Sequence, residues 1–179
     1  MKSLSEMTVG ELAAYISSHL RDHGIEVVLS GGSCVAIYSR GKYVSLDLDF
    51  IDSRATKRAK IREALKEIGF QEKNRYFIHP DTQFFLEFPS GPLSVGREPV
   101  REISIMEFST GLLKIISPTD CVKDRLAAYY HWGDRQALEQ AVLVAEENKV
   151  DLDEIAAWSR GEGKLTEFQQ ISARLRWKT

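Results

Sequence analysis

Two aspartates stand two residues apart in the run Ser45-Leu46-Asp47-Leu48-Asp49-Phe50. Alternate residues of a strand share a face, so Val44, Leu46, Leu48 and Phe50 form an apolar face and Asp47 and Asp49 fall together on the other. Ionised side by side without a partner, the two carboxylates would repel and be costly to desolvate. A divalent cation removes both objections, and Mg²⁺ favours one or two carboxylates combined with substrate phosphates. Upstream, Leu29-Ser30-Gly31-Gly32-Ser33 reads as a strand that breaks at two glycines and enters a helix. Such a turn aims backbone N–H groups and a helix N-terminus at one point, which makes an anion site, most naturally for phosphate. Thirteen residues separate Ser33 from Asp47, enough for a short helix and a return strand that bring the two sites to one end. In 83–88, Phe84, Leu86 and Phe88 alternate with Gln83, Phe85 and Glu87, and Glu87 is the one acid in that strand. Glu87 is the expected third metal ligand, against the plainer reading of an edge carboxylate facing water.

The elements that must position these residues follow from periodicity. Thr8-Val9-Gly10-Glu11 is a capping box, and Val9, Leu12, Ala13, Ile16 and Leu20 recur on one helical face until Gly24. A buried strand is expected over 25–30, a short helix over 33–38, a strand over 44–51 and a helix over 55–68 ending at Gly69. Segments 75–78 and 83–88 flank His79-Pro80-Asp81-Thr82 and predict a hairpin, with further strands over 100–105 and 112–116. From Ser117-Pro118 onward the pattern is helical, over 118–130 and 134–147, with capping boxes at Asp151/Glu154 and Thr166/Gln169. The expected organisation is an α+β catalytic part, 1–116, followed by a helical region, 117–179.

The remaining chemistry-bearing residues read more plainly. His19, His23, His79 and His131 show no ligand spacing and are expected at the surface or in turns. Cys34 is expected as a core thiol, Asp134 as a helix cap rather than a catalytic acid, and Tyr129, Tyr130 and Trp132 as core rather than base-stacking residues. There is no GxxxxGK[ST], GxGxxG or HExxH motif. With 43% hydrophobic and 28% charged residues, the chain has globular composition, and its two cysteines form no CxxC pair, which argues against a disulfide framework or structural zinc. No apolar run reaches the ~18 residues of a membrane span, so a soluble, cytoplasmic protein is expected. Net charge is −2, yet residues 54–75 carry a local +5 and 134–154 a local −5.

Gly31-Gly32-Ser33, the thirteen-residue spacer and Asp47-Leu48-Asp49-Phe50 resemble the signature of the nucleotidyltransferase-fold superfamily related to polymerase β. Within it they are most similar to the AbiEii/AbiGii-type toxin nucleotidyltransferases. The resemblance implies a mixed sheet flanked by helices and a helical C-terminal region. It also implies Mg²⁺-dependent transfer of a nucleoside monophosphate from an NTP to an acceptor hydroxyl. Asp47, Asp49 and Glu87 would be the catalytic and metal-binding acids, and Gly31, Gly32 and Ser33 would hold the phosphates. Thr119-Asp120-Cys121-Val122-Lys123 resembles the helical segment of those proteins, so Lys123 would add a charge at the triphosphate. RNA is a possible acceptor and an antitoxin a possible partner. Arg54, Lys57 and Arg58, cations at a helix start where they oppose the dipole, are expected near the catalytic end of the sheet, holding that RNA. The alternative is a catalytically silent member of the same fold that binds nucleotide or a partner.

Overall fold

Thr8 and Glu11 open the first helix as the sequence predicts: the Glu11 amide donates to Thr8 Oγ1 (3.3 Å) and the Thr8 amide to Glu11 Oε2 (2.8 Å). This reciprocal cap satisfies two N–H groups that the helix itself leaves unpaired. The computed structural model describes residues 2–178. Its elements run α1 (Val9–Asp22), β1 (Val27–Ser30), α2 (Gly32–Tyr38), β2 (Asp47–Asp52), α3 (Arg58–Glu67), β3 (Gln71–Lys73), β4 (Tyr76–Ile78) and β5 (Phe85–Glu87). They continue with β6 (Ser94–Val95), β7 (Glu98–Pro99), β8 (Ile103–Phe108), β9 (Gly111–Ile116), α4 (Pro118–Trp132), α5 (Arg135–Glu147), α6 (Leu152–Gly161) and α7 (Leu165–Ile171). The chain divides into two compact units.

The first unit comprises Met1–Cys34, Ser45–Leu93 and Ile103–Ile116. Its sheet has the order β3-β4-β5-β2-β1-β9-β8. It is mixed, as expected: β1 pairs antiparallel with β2 and parallel with β9, and β2 pairs parallel with β5. The predicted hairpin is present as β4–β5, with Phe77 opposite Leu86. Helix α1 packs on β9 and reaches β1, β8 and α3. Leu12, Ile16 and Leu20 of α1 are fully buried, as are Leu29, Leu48, Phe50, Leu65, Phe77, Leu86 and Ile115. Each such side chain contributes about 1.5–3 kcal/mol through the water it leaves.

Three expectations for this unit are corrected. The strand bearing the aspartates starts at Asp47, where pairing with Phe85 begins. Val44 and Leu46 are therefore 71% and 40% exposed rather than on the core face. Helix α3 starts at Arg58, not at 55, because Asp52 accepts the amides of Arg54 (2.9 Å) and Thr56 and turns the chain, with Ala55 in the left-handed region (φ +49°). The polar edge strand β3 carries no apolar alternation and was not expected.

The second unit comprises Val35–Val44, Ser94–Glu102 and Ser117–Thr179. It holds α4 to α7 and the β6–β7 pair, which the sequence reading did not foresee. Ser117 caps α4 by accepting the Asp120 amide (3.1 Å), Asp134 caps α5 by accepting the Ala137 amide (3.1 Å), and Asp151 caps α6. Asp134 is thus the cap that its position predicts. The Thr166/Gln169 box does not form; α7 starts at Leu165, after Gly163 turns the chain with φ +73°. Tyr130 is buried, stacked on Trp158 (5.8 Å between centroids) and bonded to Ser159 Oγ (3.0 Å). Trp132, expected in the core, is 81% exposed at the last turn of α4.

Candidate active site

The glycine turn and the acids meet because β1 and β2 run antiparallel. Ser30, the last residue of β1, pairs with Asp49, so the chain enters the Gly31 turn beside the acid strand. The parallel β2–β5 pair then sets Asp47 opposite Phe85, Leu48 opposite Leu86 and Asp49 opposite Glu87. Paired residues of neighbouring strands share a face. Asp47, Asp49 and Glu87 therefore lie on one face, and fully buried Leu48, Phe50 and Leu86 on the other. Across strands spaced about 4.8 Å apart, Asp49 and Glu87 are immediate neighbours.

Gly31 is at the centre of this arrangement. Its φ is +72°, and a Cβ at that position would lie 2.2 Å from Asp49 Oδ2. Both the left-handed backbone and the approach of the carboxylate demand glycine. Hydroxyls tie the turn to the acid strand. Ser30 Oγ donates to the Asp49 carbonyl (3.3 Å), and buried Ser33 Oγ donates to the Asp47 carbonyl. Ser33 thus braces the two segments, its hydroxyl turned inward. Ser45 Oγ donates to Asp47 Oδ1 at 2.5 Å. Gly32 opens α2, whose first N–H groups have no acceptor within the helix. Cys34 is a buried core thiol whose Sγ donates to the Leu29 carbonyl (3.3 Å).

Arg75 supplies the countercharge. Its Nε lies 3.2 Å from Glu87 Oε1, and its guanidinium stacks 4.8 Å from the Tyr76 ring centroid. Contact with Tyr76, then the charges of Glu87 and Asp49, hold it protonated even more firmly than an ordinary arginine. Arg75 reaches Glu87 from the neighbouring strand, since Tyr76, the next residue, pairs with Glu87.

The donor set is hard oxygen, three carboxylates with a hydroxyl beside them, and this chemistry fits Mg²⁺ or Mn²⁺. The carboxylates are aligned on one face without meeting at a point. Among the described residues, the one group of three metal-ligating side chains with donor atoms within 4.8 Å of one another is His19, His23 and Glu67. That grouping also corrects the reading of His19 and His23 as residues without ligand spacing.

Two further expectations meet the structure. Lys123 belongs to the second unit, is buried, and donates to Asp120 Oδ1 (3.2 Å) and to Glu154. Burial pulls its pKa down, but Glu154 and Asp120 outweigh burial and raise it. It lines a cavity of about 400 Å³ with Arg101, Glu98, Asp120, Glu154 and Trp158. Arg54, Lys57 and Arg58 follow the end of β2 away from Asp47, and of the three only Arg58 is shown reaching back, to the Arg75 carbonyl. They follow Asp52, which pairs with Val27 at the start of β1, whereas Asp49 pairs with Ser30 at its end. The five residue steps from Asp47 to Asp52 span about 16 Å. Arg58 is moreover engaged by Glu72 (2.5 Å), by the Arg75 carbonyl (2.8 Å) and by the Phe77 ring.

No family model and no curated protein matches this chain. Solved structures do. An antigenic nucleotidyltransferase-like protein from Paracoccidioides brasiliensis aligns with a TM-score of 0.62 at 13% identity, over 96% of this chain and 94% of that one. The antibiotic-resistance factor ANT(2'')-Ia aligns in its solution structure with a TM-score of 0.50 at 13% identity, over 93% of this chain and 94% of that one. Its crystal structure in complex with adenylyl-2''-tobramycin gives 0.51 at 13%, over 90% and 97%. What is shared at this identity is the architecture: the chain has the nucleotidyltransferase fold.

Proposed function

We propose that this protein is a nucleotidyltransferase: an acceptor hydroxyl bonds to the α-phosphorus of an NTP and loses its proton, the α–β phosphoanhydride bond breaks, and pyrophosphate leaves. The observation that carries the reading is the placement of Asp47, Asp49 and Glu87 on one face of β2 and β5, against the Gly31 turn. A divalent ion of the Mg²⁺ class, held by these three acids, would neutralise triphosphate charge and make the acceptor hydroxyl a better nucleophile. The chain's own residues do the positioning. Gly31 and Gly32 leave room for phosphate to approach the backbone. Ser30 and Ser33 fix that backbone against the acid strand. Arg75, held by Glu87, keeps compensating positive charge at the carboxylates.

The acceptor is assigned as a hydroxyl compound. The adenylyl-2''-tobramycin in complex with ANT(2'')-Ia is the precedent for a small acceptor on this fold. Toxin-type action on RNA and an antitoxin partner rest on the sequence resemblance alone, since the basic residues proposed to hold RNA follow the other end of β2. The test is incubation with each α-labelled NTP, Mg²⁺ and candidate acceptors, comparing wild type with Asp47→Asn, Asp49→Asn and Glu87→Gln. Loss of label transfer by at least two orders of magnitude in all three variants, with folding retained, is expected. Wild-type transfer by Asp47→Asn or Asp49→Asn would overturn the reading.

A further inference from the structure

The C-terminal end of α1 carries His19 and, at the cap, His23, four residues on. One turn apart on a helix, they fall on the same side, and here they meet the last turn of α3. One donor atom from each of His19, His23 and Glu67 lies within 4.8 Å of the others. The two imidazole rings are tilted by 47° with centroids 4.5 Å apart.

Hydrogen bonds fix which nitrogens carry lone pairs. His19 Nε2 lies 2.7 Å from the Ala64 carbonyl oxygen, and His23 Nδ1 lies 2.9 Å from the carbonyl oxygen of His19. A carbonyl only accepts, so each of these nitrogens is an N–H. The lone pair of the neutral His19 ring then sits on Nδ1, whereas His23 Nε2 donates to Glu67 Oε2 (3.0 Å), so an ion bound there takes the place of that proton. Metal-binding histidines are held in this way: the nitrogen that does not ligate donates to a carbonyl or carboxylate, which fixes both tautomer and ring orientation. Both rings are half-buried and Glu67 is 60% exposed, so an ion can enter from solvent.

We propose that His19 Nδ1, His23 Nε2 and a Glu67 carboxylate oxygen form a binding site for a borderline divalent ion, Zn²⁺ foremost, with water completing its coordination. Two imidazoles and one carboxylate suit Zn²⁺ and disfavour Mg²⁺, which prefers oxygen alone. The ion would join the C-terminal end of α1 to that of α3. This site uses none of the carboxylates on the β2–β5 face and does not depend on the proposed activity.

Calorimetric titration of the metal-stripped full chain with Zn²⁺, paired with thermal melts, tests the site. One equivalent is expected to bind at micromolar concentration and to raise the melting temperature. Glu67→Gln and His23→Gln should each weaken that binding roughly tenfold or more. Asp47→Asn should leave it unchanged, which separates it from any ion on the carboxylate face. Co²⁺ should give the visible absorption of a nitrogen-ligated ion in wild type and lose it in His23→Gln. Should His19→Gln fail to fold, the His23 and Glu67 variants decide the matter, since both side chains reach solvent. Absence of micromolar Zn²⁺ binding, or equal binding by wild type, His23→Gln and Glu67→Gln, overturns the proposal.

Discussion

At Gly31 the backbone and the site make the same demand for different reasons. Its left-handed φ costs any other L-residue about 1–2 kcal/mol, and Asp49 Oδ2 occupies the space a Cβ would take. Gly31→Ala should therefore lower unfolding stability by about 1–2 kcal/mol and also push the Asp49 carboxylate out of line with Glu87. Denaturant titration and labelled-nucleotide transfer measure the two effects separately. A variant that loses stability yet transfers at the wild-type rate would show that the contact with Asp49 is incidental. The two glycines and the aspartate pair were legible in the sequence, because turn chemistry and period-two alternation are local. Arg75 was not singled out: the predicted hairpin brings its strand beside that of Glu87, but the register that joins the two side chains is set by the length of the turn.

Among the elements, α1 shows how a charged cap responds to acid. Lys2 Nζ (2.7 Å) and the Thr8 amide (2.8 Å) both donate to Glu11 Oε2, and Ser109 Oγ reaches Oε1 (3.2 Å). The Lys2 ammonium first, then the Thr8 amide, hold Glu11 down at about 2 against the usual 4.5. A carboxyl whose folded pKa is depressed contributes stability that is present in full above 4.5 and is lost as pH falls through 2. Glu11→Gln should accordingly be less stable than wild type at pH 7, with the gap closing between pH 4.5 and 2. Denaturant midpoints taken across that range provide the check, and a gap independent of pH would remove the ionic account. The caps at Thr8, Ser117 and Asp134 could be read from sequence because each acts within three residues. Thr166 carried the same pattern without forming a cap, since Gly163 and Lys164 begin α7 two residues too early. Val44 and Leu46 kept strand alternation ahead of the point where β2 begins, at Asp47, and β3 offered a partner strand with no alternation to find.

For the molecule as a whole, the charge blocks are less potent than their sums suggest. Within the +5 block, Arg58 and Arg62 share Glu72, and Arg75 is held by Glu87. The −5 block is offset in the same way, with Glu147 bridged to Arg40 and Lys42, Glu139 to Arg174 and Glu146 to Lys178. Strand direction decides what the basic block can serve. Since β2 carries its acids at the start and delivers the chain to Arg54 at its end, the combined Arg54→Gln, Lys57→Gln variant should transfer nucleotide at the wild-type rate. A steep loss of transfer in steady-state assays would return these residues to the acceptor path. Sequence reading placed them wrongly for one physical reason: it tracked adjacency along the chain, whereas a strand carries its two ends about 16 Å apart.

The parallel pairing of β2 with β5 also orders events in time. A parallel pair cannot be closed by a tight turn and needs a crossover, here through α3, β3 and β4. During synthesis the Gly31 turn and both aspartates are joined to the chain well before Glu87. At about 5–20 residues per second the interval is on the order of seconds. Any chain that ends before β5 carries two of the three carboxylates and no strand to set the third against them. On the proposed chemistry, an unfinished protein is an inert one.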